Sequence, residues 1–195
     1  MKPLLAAAVL TAAIAGPAVA QETAVVDAYV ADFTRLCLDT GGEREAVRAA
    51  AADAGWTPGA PPEASPNAVD MAVWDAPDGG AQLMTSASPP DQMPDGLVVR
   101  TCIVQPAATS APGRQALGQA AGRVIGLPGQ PTRQGLVWIV SGTRRDGFVN
   151  ETAAFVGTGS ADAGLALGAE RPIMLVNVIG GPDAAALSLL RVSTE

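Results

Sequence analysis

Few side chains in this sequence are equipped for chemistry, and two absences narrow the field further: it contains no histidine, and Lys2 is its only lysine. Without imidazole there is no Ser-His-Asp or Cys-His nucleophile and little basis for a zinc or copper site, and without lysine in the body of the chain there is no Schiff base or Ser-Lys dyad. Chemistry would fall to carboxylates, to Tyr29, to arginine or to a bound hard cation. The carboxylates are scattered: Asp70 and Asp75 flank one apolar run, Asp91 and Asp95 sit among prolines, and Asp146, Glu151 and Asp162 lie further on. None follows the calcium-loop spacing. Arg144-Arg145-Asp146-Gly147 is the one local basic spot, and Arg144 and Arg145 could receive an anion through bidentate contacts. The same four residues also read as a solvated hairpin tip turned by Asp-Gly. Gly157-Thr158-Gly159-Ser160 begins like a phosphate loop, but no glycine stands at 162 and no lysine follows, so a plain loop is expected. Met71, Met84 and Met93 lack the spacing of a copper(I) site. No catalytic residue, metal ligand or cofactor site is expected.

The two cysteines, Cys37 and Cys102, acquire meaning from the first twenty residues. Met1-Lys2, an apolar run from Leu4 to Ala15, the breaker Gly16-Pro17 and the small-x-small site Ala18-Val19-Ala20 form the pattern of a secretory leader, with cleavage between Ala20 and Gln21. The apolar run is too short to span a bilayer, so no membrane insertion is expected after cleavage. The expected organisation is a signal peptide at 1–20 and a single globular domain at 21–195, in the periplasm or secreted. In such a compartment two cysteines pair as a structural disulfide; a redox couple would show C-x-x-C spacing, and two free buried thiols are the remaining alternative. Removal of Lys2 leaves 11 arginines against 19 carboxylates, a net charge near −8. That balance argues against nucleic acid as a partner, because neutralising phosphates requires clustered basic residues.

The elements that would position these residues follow from periodicity. Val26, Tyr29, Val30, Phe33, Leu36 and Cys37 recur at helical spacing and predict a helix over 24–38. Thr40 with Glu43 fits a capping box for a second helix over 43–54, with Val47, Ala50, Ala51 and Ala54 inward and Gly55-Trp56 closing it. Residues 57–67 hold four prolines and predict an exposed connector. Strands are expected at 68–74, 81–87, 96–105, 134–141, 172–179 and, in preference to helix, 185–193, with a weaker one near 148–156 and a loop over 157–168. Ser110 and Pro112 open a third helix carrying Leu117, Ala121, Val124 and Ile125, which stops at Gly126. No internal repeat is evident. Two helices followed by hairpin-linked strands and one further helix predict an α+β domain, an antiparallel sheet with helices on one face. Alternation along 96–105 puts Val98, Cys102 and Val104 on one face, and if Cys37 bridges Cys102 that face is the one the first helix covers. Arg100 shares that face and must sit at its rim or find a carboxylate.

The arrangement Phe33-x-x-x-Cys37, then Gly55-Trp56, then Cys102-x-Val104 resembles small exported proteins of unassigned function from alphaproteobacteria. The resemblance implies a periplasmic location and a Cys37–Cys102 bridge, and carries no active site. Because the groups for catalysis are missing, the expected function is that of a non-enzymatic periplasmic or secreted domain binding a protein or envelope component. Two alternatives stand beside it: a His-free, carboxylate-dependent hydrolase acting on glycans, and an inhibitor of a cationic enzyme such as a lysozyme.

Overall fold

A computed structural model describes residues 17–61, 66–93, 96–106, 112–133, 135–181 and 184–194. Helix α1, Pro17–Phe33, runs into a π-helical turn at Thr34–Leu38; α2 is Arg44–Asp53. Strands β1 (Thr57–Pro58), β2 (Val69–Asp75), β3 (Ala81–Ala87) and β4 (Leu97–Pro106) follow, then α3, Arg114–Ile125. The second half contributes β5 (Gln130–Thr132), β6 (Gly135–Thr143), β7 (Gly147–Asn150), α4 (Thr152–Gly157), α5 (Ala161–Ala166), β8 (Ile173–Gly180) and β9 (Ala185–Thr194).

The strands form one antiparallel sheet in the order β1-β2-β3-β4-β9-β8-β6-β5, with β7 also paired to β6. The fold class is thus α+β, with α1, α2 and α3 packed on the sheet. The last strand lies at the centre, between β4 and β8: β1 to β4, which follow α1 and α2, step inward from one edge, and β5, β6 and β8, which follow α3, step inward from the other.

The core lies between the helices and one sheet face. Directly opposed residues share a face, so the pairs Cys102↔Leu189, Val104↔Leu187, Leu189↔Val176 and Val176↔Trp138 put Cys102, Val104, Leu187, Leu189, Val176 and Trp138 together under the helices. Val26, Tyr29, Val30, Phe33 and Cys37 from α1 and its π turn, and Leu117, Ala121 and Ile125 from α3, are buried in the same cluster. The opposite face is covered at one end by the segment that follows β7. There Glu151 meets Ser141, and Gly168 lies against Val192 so closely that a Cβ at 168 would come within 2.6 Å of it.

Three local expectations are corrected. The first helix is already formed at Pro17, where the described residues begin, rather than opening at 24, and it widens to a π turn near its end. The cause is the Thr34 hydroxyl, which donates to the Val30 carbonyl at 2.7 Å and competes for the bond a regular helix would make there. The Asp39 N–H then reaches back to Thr34 O at 2.8 Å, and Thr34, Leu36, Cys37 and Leu38 are all buried. Second, the strand near 148–156 ends at Asn150. Its side chain accepts from the Thr152 N–H at 2.9 Å and turns the chain into α4, so that Gly157 closes a helix and the expected loop over 157–168 contains α5, capped by Ser160. Third, the capping box is not formed. The Thr40 hydroxyl donates to the Leu36 carbonyl at 2.6 Å and accepts from the Gly42 N–H at 3.2 Å, which leaves the Glu43 carboxylate free for long-range use.

Candidate functional site

The loop between the π turn and α2 is pressed onto the middle of the sheet. Cys37 at its root is bonded to Cys102 of β4, 65 positions further along the chain, both fully buried. Gly41 and Gly42 both take positive φ, and a Cβ at 42 would stand 2.9 Å from the Leu189 side chain. Only glycine allows both that conformation and that approach. The loop therefore delivers Glu43 to a pair of arginines, Arg100 and Arg191, which face each other directly across β4 and β9.

Glu43 bridges them unequally. Its Oε1 lies 3.0 Å from Arg191 Nη2, whereas its Oε2 lies 3.7 Å from Arg100 Nε. The two guanidinium-bearing side chains are 20 and 22 % exposed. Arg100 adds one long bond, from Nη1 to Ser193 Oγ at 3.4 Å, and Arg191 Nε is buried without a partner. The expectation that Arg100 must find a carboxylate is met, but thinly.

Arg100 lines a cavity of about 350 Å³. Val98, Ala87, Val69 and Pro90 give it apolar walls, and Thr85 lines it too; Thr85 is 4 % exposed, and its Oγ1 is enclosed in the wall without a hydrogen-bond partner. At the margin Arg44 pairs with Asp70 at 3.0 Å and Arg48 with Glu45 at 3.2 Å, all four well exposed. Asp70 holds φ +55, the one described non-glycine residue in the left-handed region. The cavity can therefore hold a small polar-headed molecule, but its carboxylates are solvated and ion-paired rather than set as a buried acid and base.

Apart from Asp70 and Arg100, the residues singled out from sequence lie elsewhere. Arg144 and Arg145 form the tip of the β6–β7 hairpin as expected, but Arg144 is already engaged: its Nε and Nη2 donate to Asp39 at 2.7 and 2.9 Å, and these bonds raise its affinity for the proton. Arg145 makes no bond to a described residue. Trp74 and Trp138 are core, the latter donating from Nε1 to the Leu127 carbonyl at 3.0 Å. Burial, with Asp32 adding to it, pushes the Tyr29 phenol far up, and its hydroxyl has no partner. Asp162 has no described side-chain position. Glu151, 6 % exposed, accepts two bonds from Arg171, at 3.0 and 2.7 Å, and one from Ser141 at 2.5 Å. Those bonds, Arg171's first, hold its carboxyl below the usual range. Sequence reasoning missed Arg191 and Thr85 entirely, since each looks like an ordinary strand residue until the register brings it to Arg100 or the cavity.

No family model matches the chain, and comparison with curated proteins and with solved structures likewise gave no match.

Proposed function

We propose that this chain is an exported domain of the bacterial envelope that binds a partner without transforming it. The observation that carries the reading is the Cys37–Cys102 bond, which ties the first helix to a central strand and is at home in an oxidising compartment. The leader-like pattern of residues 1–20 and the likeness to small exported alphaproteobacterial proteins support the same location. Removal of the leader is compatible with the fold: the described core stripe of α1, from Val26 through Phe33, lies beyond the expected cleavage point. No described helix is long and apolar enough to cross a membrane.

Binding rather than turnover is favoured by the chemistry of the cavity. It offers guanidinium, hydroxyl and apolar surface, while the chain has no histidine and its one tyrosine is sealed in the core with its proton held. Two measurements test the proposal on protein recovered from a periplasmic extract. Mass spectrometry should find Gln21 as the first residue, and panels of glycans and esters should show no hydrolysis with or without divalent cations. An intact Met1 in the exported fraction would refute export, and turnover abolished by a single Asp→Asn or Glu→Gln change would refute the binding role.

A further inference from the structure

Arg100 is short of partners in a way that identifies what the cavity takes. A guanidinium carries five N–H donors, yet among the described residues Arg100 makes a single hydrogen bond, at 3.4 Å, and its contact with Glu43 at 3.7 Å is too long to be another. Like charges directly opposed on neighbouring strands repel, and the one carboxylate between Arg100 and Arg191 leans toward Arg191. One positive charge, four-fifths buried, is thus left over at the wall of a cavity. Thr85, buried and with an unpartnered hydroxyl, lines the same space.

Resting on the reading of this chain as a binding domain, we propose that the cavity binds a small monocarboxylate, its head on Arg100 and Thr85 and a short apolar body against Val98, Ala87, Val69 and Pro90. The planar guanidinium fork matches a carboxylate through two parallel bonds, and the Thr85 hydroxyl, enclosed and without a partner in the fold, supplies a third once its side chain rotates toward the head. The charge of the ligand follows from the same pairing: Asp70, Glu45 and Glu43 are matched by Arg44, Arg48 and Arg191, so Arg100 leaves one positive charge to offset, which suits a single carboxylate better than a dianion such as phosphate. The volume, about 350 Å³, lies at the small end of ligand sites and suits a compact molecule rather than a peptide.

Calorimetric titration of the purified, disulfide-bonded protein with acetate, butyrate, hexanoate and inorganic phosphate tests this. The expected result is saturable binding of the carboxylates, tighter for butyrate than for acetate and absent or weaker for phosphate. Arg100→Gln should weaken butyrate binding by about tenfold or more, one charge-assisted bidentate contact being lost. Thr85→Val, which keeps the β-branched shape, should weaken it several-fold even if the arginine variant fails to fold. Arg123→Gln, in an exposed ion pair with Asp27, should leave it unchanged. The proposal is overturned by carboxylates that do not saturate up to about 10 mM, by phosphate binding more tightly than any carboxylate, or by butyrate affinity that survives Thr85→Val and Arg100→Gln alike. Those outcomes remove the monocarboxylate site and leave the export and turnover measurements to decide the wider reading independently.

Discussion

Replacing Cys37 and Cys102 together by alanine asks whether the covalent link between α1 and β4 is what stabilises this fold. The bond closes a loop across 65 positions. In the chain-entropy treatment, freeing a loop of that length lowers stability by about 4 kcal/mol at 25 °C. Both sulfurs lie in fully buried side chains, so the packing they lose adds on the order of 1 kcal/mol. For a domain of this size the sum lowers the melting temperature by about 10 °C or somewhat more. Guanidinium denaturation of the oxidised wild type and the double variant measures the loss. It also separates the two contributions: an uncrosslinked denatured chain is more expanded, so the m-value should rise if the link acts on the unfolded state and stay constant if only packing is lost. A loss under about 1 kcal/mol with an unchanged m-value would refute the reasoning, since a closed loop of this length cannot have so small an effect on the denatured ensemble.

Two further substitutions probe buried polar groups. Glu151→Gln should cost about 2 kcal/mol at neutral pH, by weakening charge-assisted bonds from Arg171 and Ser141. Because the folded carboxyl is held below its unfolded value, that stabilisation is present above the unfolded carboxylate range and is lost as the pH falls through the folded value; denaturation midpoints of the two proteins should converge in acid, and a gap that widens there would refute the assignment. Tyr29→Phe should stabilise the protein by about 1 kcal/mol, because it removes a buried hydroxyl that has no partner; a drop in melting temperature would show that the hydroxyl is bonded.

Much of the fold was legible because its signals are local. The stripe Val26, Tyr29, Val30, Phe33 and Cys37 has the period of a helix, and alternation along β4 grouped Cys102 with Arg100 on one face, which the register puts under the helices. The departures arise where a side chain competes with the backbone. Thr34 bonding to Val30 opens a π turn, and Asn150 bonding to the Thr152 N–H ends a strand that Phe148 and Val149 would otherwise prolong. Neither Thr34 nor Asn150 is unusual enough in sequence to announce this. Strand order was less legible still, because pairing the last strand with β4 depends on contacts nearly ninety residues apart in sequence.

The candidate site was hidden for a related reason, and Glu43 shows it most clearly. Three residues beyond Thr40 it satisfies a capping rule, and the rule accounts for it so fully that no long-range role is needed. In the fold the Thr40 hydroxyl serves the preceding turn instead, and α2 begins without a side-chain cap. The carboxylate is thereby available to two arginines whose proximity is set by the register of β4 against β9. A helix cap left unmade would cost about 1 kcal/mol, whereas two like charges brought together four-fifths buried with no counter-ion would cost more. Tertiary electrostatics therefore wins over local capping. Because one carboxylate cannot satisfy two guanidinium groups, the same competition leaves Arg100 with donors to offer.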